Sequence, residues 1–274
     1  MTVNVEAAKP LPRPRTGGRR ARGNRLMGAA QLVLPFLALL GVWQALTIVA
    51  PASILPSPTA VLLEGIEAAR VGILPTFALR SLQALLVAAV VGTLSGIALG
   101  LLIAASRTLT KLLSAPISFL AATSEIAWLP MVLVWFGFTR RTVIYITIYT
   151  VLFPVMYSTV MGAQSIPGVY GRVMGTLGAG RWRTMLDVTI PGAMASIMTG
   201  TRLGIAYGWR TIIAAEIIVG ASGLGFMIYR AQNVSNGARI IVGMIVIGTL
   251  WLLLDRNILR PIESATSERW GLVS

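Results

Sequence analysis

Apolar stretches of about twenty residues recur along this chain and constrain its fold more than any other feature. Each is close to the length that a helix needs to cross the hydrocarbon core of a bilayer. The stretches lie at residues 27–50, 80–105, 114–138, 142–163, 191–219 and 239–256. The pattern predicts an all-α membrane protein, a bundle of about six transmembrane helices with both ends on one side of the membrane.

The composition agrees with a membrane protein. Of the 274 residues, 55% are hydrophobic and 12% are charged, with a mean hydropathy of +0.79, whereas a soluble domain carries about a quarter charged residues. The formal net charge of +14 lies beside long apolar runs, so it indicates contact with anionic membrane lipid rather than with nucleic acid.

The residue types that the sequence lacks exclude much chemistry. The chain has no cysteine and no histidine, which rules out disulfides, thiolate nucleophiles, imidazole bases and zinc sites built on these residues. Its two lysines, Lys9 and Lys111, do not lie in a G-x-x-x-x-G-K-S/T phosphate-binding loop. We therefore expect no catalytic residue, metal or bound cofactor in this chain, and a membrane-embedded enzyme is the weakest hypothesis.

The ends of the chain differ from its apolar middle. Residues 1–26 hold seven Lys and Arg together with proline and glycine, a composition typical of a disordered basic tail. A signal peptide is the alternative, but the apolar run that follows is longer than a signal sequence requires. We predict a cytosolic tail at 1–26, a transmembrane domain at 27–260 and a cytosolic C-terminal tail at 261–274.

The distribution of positive charge predicts the orientation. The tail, the 106–113 loop, the 164–190 loop and the C-terminus together hold fifteen Lys and Arg, whereas the opposite loops hold six. Loops rich in Lys and Arg stay in the cytosol, so both termini are expected there. Arg140 and Arg141 lie on the opposite side and run against this rule.

The second span carries a stripe of small residues. Gly92, Gly96 and Gly100 recur at four-residue spacing, so they lie on one face of a helix. Such a face lets another backbone approach closely within a membrane. The stripe predicts that this helix packs deep in the bundle, which we favour over a role in substrate binding.

The loop between the fourth and fifth spans contains the most informative segment, about 168–190. Gly178 permits a turn that a β-carbon would obstruct, and a short helical piece is expected on each side of it. Arg181, Trp182 and Arg183 then offer an aromatic side chain flanked by charge, a combination enriched in protein interfaces. An amphipathic segment lying on anionic lipid is the alternative.

This segment resembles the signature of the inner-membrane permease subunits of binding-protein-dependent ABC importers. That signature reads E-A-A, three residues, Gly, nine residues, Ile-x-Leu-Pro. Gly178 and Pro191 match its glycine and proline, while Val188 and Ile190 stand at its isoleucine and leucine. The E-A-A positions are occupied by Arg172-Val173-Met174, which departs from the family pattern.

Further stretches resemble the nitrate/sulfonate/taurine branch of that family, and the resemblance covers about residues 35–270. In chain order they are Leu55-Pro56-Ser57-Pro58, Leu129-Pro130 through Trp135-Phe136-Gly137, Phe153-Pro154-Val155, Thr201-Arg202-Leu203, Trp209-Arg210, Ala214-Ala215-Glu216 and Ser222-Gly223-Leu224-Gly225-Phe226. The ordered set is far more specific than any single motif.

The resemblance implies a type I importer permease in the bacterial inner membrane that carries a small anionic solute such as a sulfonate, taurine or nitrate. Its implied partners are two cytosolic ATPase subunits holding ATP and Mg, a second permease copy in a homodimer, an extracytoplasmic solute-binding protein and membrane lipid. The 168–190 loop would be the coupling helix that docks on the ATPase. The residues implied in coupling are Arg172, Gly178, Ala179, Arg181, Trp182, Arg183, Asp187 and Pro191.

Charged side chains within the spans are costly, so each should face protein or water rather than lipid. Arg202 and Arg210 are candidates for attracting an anion. The interpretation that we favour is an arginine bonded to carbonyls or to Glu125, which would lock helices together. We place Glu216 near the outer mouth and Arg202 nearer the cytosolic half. The candidates for the translocation pathway are Glu125, Trp128, Arg202, Tyr207, Trp209, Arg210 and Glu216.

A secondary carrier driven by an ion or proton gradient is the alternative function, with Glu125 or Glu216 as the titrating group. Such carriers have broken helices in inverted repeats, which the sequence pattern does not indicate, and a carrier leaves the 168–190 loop unexplained. Pro116 and Pro130 in the third span are expected to kink or unwind it.

Overall fold

The structure is a computed structural model that describes residues 20–49 and 55–269. All regular elements in these two ranges are helical, as the apolar pattern predicts. The α-helices are α1 Arg20–Val49, α2 Pro58–Arg70, α3 Ile73–Ala104, α4 Arg107–Ala122, α5 Leu129–Phe136, α6 Arg140–Gln164, α7 Gly168–Thr176, α8 Arg181–Thr184, α9 Ile190–Val219, α10 Leu224–Asn233, α11 Gly237–Leu254 and α12 Arg260–Arg269. A 3₁₀ turn, Glu125–Trp128, precedes α5, and π turns at Met185–Thr189 and Asp255–Leu259 precede α9 and α12.

The chain divides into two units, Met1–Pro51 and Ala52–Ser274. The first unit is described through α1, which has Pro35 inside it. α1 begins at Arg20, so the last part of the predicted tail 1–26 is helical. Residues 1–19 lie outside the described residues. In the second unit, α12 extends to Arg269, so the predicted C-terminal tail is also helical up to that residue, and 270–274 lie outside the described residues.

Three long helices of the second unit, α3, α6 and α9, pack side by side, and we call them the spine. Gly92, Gly96 and Gly100 form the buried surface of α3 that faces α6. A β-carbon added to Gly96 would lie 2.8 Å from Val155 Cβ, and one added to Gly100 would lie 2.6 Å from Thr159 Cβ. The predicted role of this stripe in close packing is confirmed.

A second glycine stripe, on α9, packs against α6 as well. It consists of Gly200, Gly204 and Gly208, which are all buried. A β-carbon on Gly204 would lie 2.8 Å from the carbonyl oxygen of Val151, and one on Gly208 would lie 2.8 Å from a methyl carbon of the same residue. The four-residue spacing that predicts the first stripe is present here too and would have predicted the second.

The third span, which Pro116 and Pro130 are expected to kink or unwind, is broken between these two prolines. α4 and the helical segment Glu125–Phe136 meet at an angle of 89°. The backbone is extended at Thr123 (ψ 128°), which ends α4. Pro130 lies in the first turn of α5, where the lack of a backbone N–H leaves no helical hydrogen bond unmade, whereas Pro116 is inside α4. Hydropathy does not register the break because the residues on both sides of it are apolar.

Length and apolarity identify three membrane-spanning candidates among the described residues, namely α3, α6 and the segment Gly237–Ser264. The number rises to five if each of two bent pairs forms one span. The second pair, Arg181–Val219 with Leu224–Asn233, is bent by 41°. This bend follows the predicted fifth span 191–219, which lies within the continuous helix α9. The first predicted span falls on α1, where Leu37–Val49 forms a shorter apolar stretch.

The start of α3 changes the surroundings of two arginines. α3 begins at Ile73 rather than at residue 80, so Arg80 lies within the helix instead of in a loop. Arg140, at the start of α6, donates hydrogen bonds to the carbonyl oxygen of Arg80 (3.3 Å) and to Gln83 Oε1 (3.2 Å). Arg140 therefore ties α6 to α3, which gives it a structural role that the positive-inside rule does not consider.

We predict opposite effects of one substitution at two helical glycines. Gly96→Ala places a β-carbon 2.8 Å from Val155 Cβ and 2.9 Å from the Leu152 carbonyl oxygen. Overpacking of this kind destabilises by about 1–3 kcal/mol, so the melting temperature of the purified protein should fall. Gly248→Ala in α11 meets nothing within 4 Å and should keep or raise the melting temperature, because alanine has the higher helix propensity. Equal melting temperatures in detergent would contradict this packing.

Candidate functional site

A groove of about 490 Å³ lies beside the spine, bordered by α4, the 3₁₀ turn, α6 and α9. Its wall is largely apolar and aromatic, and it contains one carboxylate. Because the groove includes residues from the break between α4 and α5, the bend in the third span helps to form it. The lining residues are Leu120, Ala121, Thr123, Glu125, Tyr149, Thr150, Phe153, Pro154, Tyr157, Ser158, Leu203 and Tyr207.

Residues of the 3₁₀ turn and of α9 meet at one part of this groove. Glu125 is half-buried, and its Oε1 accepts a hydrogen bond from the Thr211 hydroxyl of α9 at 2.8 Å. This bond orients the carboxylate without removing its charge. Tyr207 lines the groove one turn earlier on α9, and the guanidinium carbon of Arg210 lies 5.9 Å from the centre of its ring. Of the predicted pathway residues, Glu125 and Tyr207 line the groove, whereas Arg210 contacts the Tyr207 ring without lining it.

A row of aromatic rings on α6 forms the opposite wall. Tyr149, Phe153 and Tyr157 all line the groove, and their four-residue spacing places them along one face of the helix. The ring centres of Tyr149 and Phe153 lie 4.8 Å apart. Trp128 packs against Tyr149, with ring centres 6.3 Å apart, and supports this wall without lining the groove. The sequence interpretation missed the row, although its spacing was visible.

Arg202 lies away from the groove, in an ion-pair cluster. Its partners are neither carbonyl groups nor Glu125, the two that were expected. The guanidinium makes two hydrogen bonds to Asp255 (2.9 and 3.2 Å) and one to Glu263 (2.6 Å), so Arg202 does lock helices together. Asp255 also accepts a hydrogen bond from Arg260 at 2.9 Å. The cluster ties α9 to the helical segment that follows α11. Its carboxylates lie 53 and 61 residues further along the chain, so no local pattern indicated them.

Glu216 is fully buried and lies in the last turn of α9, which ends at Val219. Both of its carboxylate oxygens accept hydrogen bonds from the Ser81 hydroxyl of α3 (2.8 and 2.9 Å), and Oε2 also accepts one from the Gly225 N–H (2.9 Å). The Ser81 oxygen accepts a hydrogen bond from the Leu224 N–H at 2.9 Å. Glu216 and Ser81 therefore satisfy the first N–H groups of α10 and hold the bend between α9 and α10 against α3.

Trp209 does not line the groove either. It is 4% exposed and belongs to the hydrophobic core that surrounds the spine. Its neighbour Gly208 faces α6, so this side of α9 is turned into the protein, while Tyr207 is turned toward the groove. The predicted pathway residues of α9 thus lie on different faces of the helix, with Tyr207 at the groove and Trp209 in the core.

The predicted meeting of two short helices at Gly178 is confirmed. Gly178 has a φ of +75°, a conformation that side chains with a β-carbon rarely adopt. The Ala179 N–H donates to the Met174 carbonyl oxygen (2.9 Å), and the Gly178 N–H donates to that of Gly175 (3.1 Å). These two bonds are those of a Schellman motif, which closes the C-terminus of a helix.

The segment around this turn exposes apolar side chains. Trp182 is 69% exposed and Leu177 is 75% exposed, and exposed apolar patches mark interaction sites. An ion pair between Arg183 Nε and Asp187 Oδ2 (3.4 Å) lies on the same surface. We call this the coupling surface; its exposed large apolar residues are Val169, Tyr170, Val173, Leu177, Trp182 and Leu186.

The coupling surface is continuous with the spine. From Arg181, α8 leads through the π turn into α9, and Arg181–Val219 forms one long helical segment. The predicted coupling residues lie at the start of this segment or on the turn before it. Arg172 is exposed on α7, Ala179 and Arg181 flank the N-cap Gly180, and Pro191 lies in the first turn of α9.

The groove, the coupling surface and most of the spine fall within one family match. Residues 96–256 match the family described as "Binding-protein-dependent transport system inner membrane component". The chain belongs to this family. Since the family consists of inner-membrane transport components and the described residues hold several apolar helices, this transport component is a multi-pass membrane protein and not an enzyme.

Individual relatives of this transport component carry different solutes. The chain is 35% identical over 163 residues to the nitrate import permease protein NrtB of Synechocystis sp., covering 60% of this chain and 59% of the relative. It is 33% identical over 183 residues to the bicarbonate transport system permease protein CmpB of Synechococcus elongatus, covering 66% and 64%. It is 32% identical over 175 residues to the taurine transport system permease protein TauC of Escherichia coli, covering 64% of each. The chain thus spans about three fifths of the length of the relatives it matches.

We predict that Ser81→Ala destabilises this transport component. The substitution leaves the Leu224 N–H without its buried acceptor and leaves Glu216 with the Gly225 N–H but without the Ser81 donor, and such a loss destabilises by about 1–3 kcal/mol. Ser95→Ala is the matched control, because the Ser95 hydroxyl bonds only to the carbonyl oxygens of Val91 and Gly92 in its own helix. Thermal unfolding of both variants in detergent tests the difference, and a Ser81→Ala protein as stable as Ser95→Ala would disprove the role of this contact.

Proposed function

We propose that this chain is the permease subunit of an ATP-driven importer and forms the pathway for a small anionic solute. The six apolar runs predict six transmembrane helices. The excess of Lys and Arg in the two ends of the chain and in the 106–113 and 164–190 loops predicts that both termini lie in the cytosol. The named relatives, which import nitrate, bicarbonate or taurine, support this class of solute. The observation that carries the proposal is the family match over residues 96–256.

In this proposal the coupling surface is where the ATPase subunits dock, so that their conformational change during ATP hydrolysis moves the permease. Two cytosolic ATPase subunits, which hold ATP and Mg, dock on it, and Trp182 enters their surface as the aromatic anchor. Its high exposure and its two flanking arginines are features of interface hot spots. The E-A-A positions of the family fall on α7 with Arg172 in place of the acidic residue, so the facing ATPase surface should present an acidic group there.

The groove forms one half of the translocation pathway. A second copy of the chain supplies the other half in a homodimer, since a two-fold pore needs two such bundles, and a solute-binding protein delivers the solute from outside. Rigid movement of the spine around the groove then opens the pathway to one side at a time.

The secondary carrier has less support. Glu216 is fully buried and accepts hydrogen bonds from two donors, the Ser81 hydroxyl and the Gly225 N–H, which does not suit a group that exchanges protons with water during each cycle. Glu125 lies in the groove, but its contacts also suit a binding residue. Broken helices would by themselves suit a carrier. In this chain the break after α4 helps to form the groove, and the bend before α10 is held against α3 by Glu216 and Ser81.

We predict that Trp182→Ala abolishes retention of the ATPase subunit during purification of the tagged permease. Because the side chain is 69% exposed, its removal should leave the melting temperature of the permease unchanged. Trp135→Ala is the matched control, with a tryptophan that is 53% exposed on α5, away from the coupling surface. Undiminished retention of an ATPase with vanadate-sensitive hydrolysis by the Trp182→Ala permease would contradict the docking proposal.

The turn at Gly178 offers a second test of the coupling surface. Gly178→Val forces a β-branched residue to a φ of +75° and should reorient α8 relative to α7, so we expect uncoupling or loss of the ATPase. Gly248→Val on α11, outside the coupling surface, also meets nothing within 4 Å but needs no positive φ, and it should retain ATP-driven uptake. The measurement is ATP-dependent uptake in proteoliposomes, and equal uptake by the two variants would argue against this turn as the coupling element.

A further inference from the structure

Three arginines lie at the end of the spine that is opposite the coupling surface. They are Arg80 on α3 and Arg140 and Arg141 at the start of α6, and we call them the arginine patch. Ser81 of α3 bonds to Glu216 in the last turn of α9, whereas the coupling surface precedes the first turn of α9. The patch runs against the positive-inside rule, so its charges need another reason.

The positive charge of the patch exceeds the negative charge near it. Four other arginines of the described residues each form an ion pair with a carboxylate, namely Arg183, Arg202, Arg239 and Arg260. None of the ion pairs in the described ranges includes a patch arginine. Arg140 interacts with the buried Glu216 carboxylate at a distance, but its hydrogen bonds go to the uncharged Arg80 carbonyl and Gln83. The positive end of the α6 dipole adds to this charge, so the patch attracts an anionic partner.

Exposed aromatic side chains beside the patch indicate the level of the membrane–water interface. Trp135 of α5 and Tyr145 of α6 are both exposed, and their ring centres lie 6.3 Å apart. Tyr145 follows Arg141 by one helical turn, so both lie on the same exposed side of α6. Tryptophan and tyrosine collect at the level of lipid headgroups, because their rings are apolar at one end and polar at the other. A patch at this level meets the phosphate groups of the bilayer.

An apolar line continues from the patch along α3 toward the middle of the membrane. Exposed residues recur there at spacings of three or four, which places them on one face of the helix. In chain order they are Arg80, Gln83, Val87, Val91 and Leu94. Their fourteen-residue span corresponds to about 21 Å of helix, and half of the hydrocarbon core measures about 15 Å. This face of α3 therefore offers polar groups at headgroup level and apolar side chains over the depth of one leaflet.

We propose that the arginine patch and this face of α3 bind an anionic phospholipid in the leaflet opposite the coupling surface. Its phosphate accepts hydrogen bonds from Arg80 and Arg141, and an acyl chain lies along the line from Val87 to Leu94. Guanidinium groups match phosphate oxygens in geometry and bind them through paired hydrogen bonds. A free anion would leave the apolar line uncovered, and so would a soluble acidic protein. A phospholipid satisfies both parts of the surface.

The first test compares two lipid headgroups on the same acyl chains. The full-length permease would be delipidated in detergent and titrated with dioleoyl phosphatidylglycerol or dioleoyl phosphatidylcholine, with bound lipid measured by native mass spectrometry. The anionic phosphatidylglycerol should bind about fivefold more tightly or better, and an excess of inorganic phosphate should not displace it. Equal affinities for the two lipids would overturn the proposal. Displacement by inorganic phosphate would overturn it in favour of a site for free anions.

Two variants locate the lipid on the patch. Arg141→Gln removes an exposed charge, and Arg80→Gln removes another while it keeps the backbone carbonyl that Arg140 bonds. Each should weaken the binding of phosphatidylglycerol about fivefold and leave the melting temperature of the delipidated protein unchanged. Arg70→Gln removes an exposed arginine at the end of α2; it is the matched control and should change neither quantity. If both patch variants bind phosphatidylglycerol as Arg70→Gln does, the site is disproved.

A cross-link identifies what covers the apolar line in the cell membrane. p-Benzoylphenylalanine in place of Val87 would lie on the exposed face of α3 and react on illumination with the C–H bonds of its neighbour. Mass spectrometry should find a phosphatidylglycerol adduct, and the yield of this adduct should fall when Arg141→Gln is added. A cross-link to a second copy of the chain or to another protein would overturn the proposal, as would the absence of a lipid adduct.

Discussion

Helix α6 is packed against two other helices, each of which carries glycine at every fourth position where it meets α6. Within a bilayer, lipid is as apolar as the side chains, so helices associate through close packing rather than through exclusion of water. Gly96 on α3 and Gly204 on α9 provide that packing, because the space where their β-carbons would lie is filled by Val155 and by the Val151 backbone. Every other feature of the second unit is arranged around this spine.

The groove and the coupling surface are connected through α9. The helical segment Arg181–Val219 includes Trp182 on the coupling surface and Tyr207 in the groove, about 37 Å apart along the helix axis. A displacement of the Arg181 end of this segment therefore reaches the groove as a movement of one helix. The ion pairs of Arg202 with Asp255 and Glu263 attach the end of the chain to the same helix, and the contact of Glu216 with Ser81 attaches its other end to α3.

The features that the sequence predicted depend on short stretches of chain. An apolar run of sufficient length predicts a spanning helix, a four-residue glycine spacing predicts a packed face, and Gly178 predicts a turn because the required φ is local. The partners of Arg202 and the burial of Glu216 depend on residues more than fifty positions away, and no local pattern contains them. The break at Thr123 was missed because hydropathy averages over it. The second glycine stripe and the aromatic row of α6 show the same spacing as the first stripe, so the sequence contained the signal for both.

The central claim is that the groove belongs to a pathway whose access is changed by ATP hydrolysis in a partner. The chain contains no cysteine, so Thr123→Cys would place a single thiol in the groove of this subunit, with little change in side-chain size. The most direct measurement is the rate at which a membrane-impermeant maleimide labels that thiol in the reconstituted complex, with and without trapping of the ATPase by ATP and vanadate. The account predicts that trapping decreases labelling from the cytosolic side and increases labelling from the opposite side. Labelling rates that are the same in both states would contradict it.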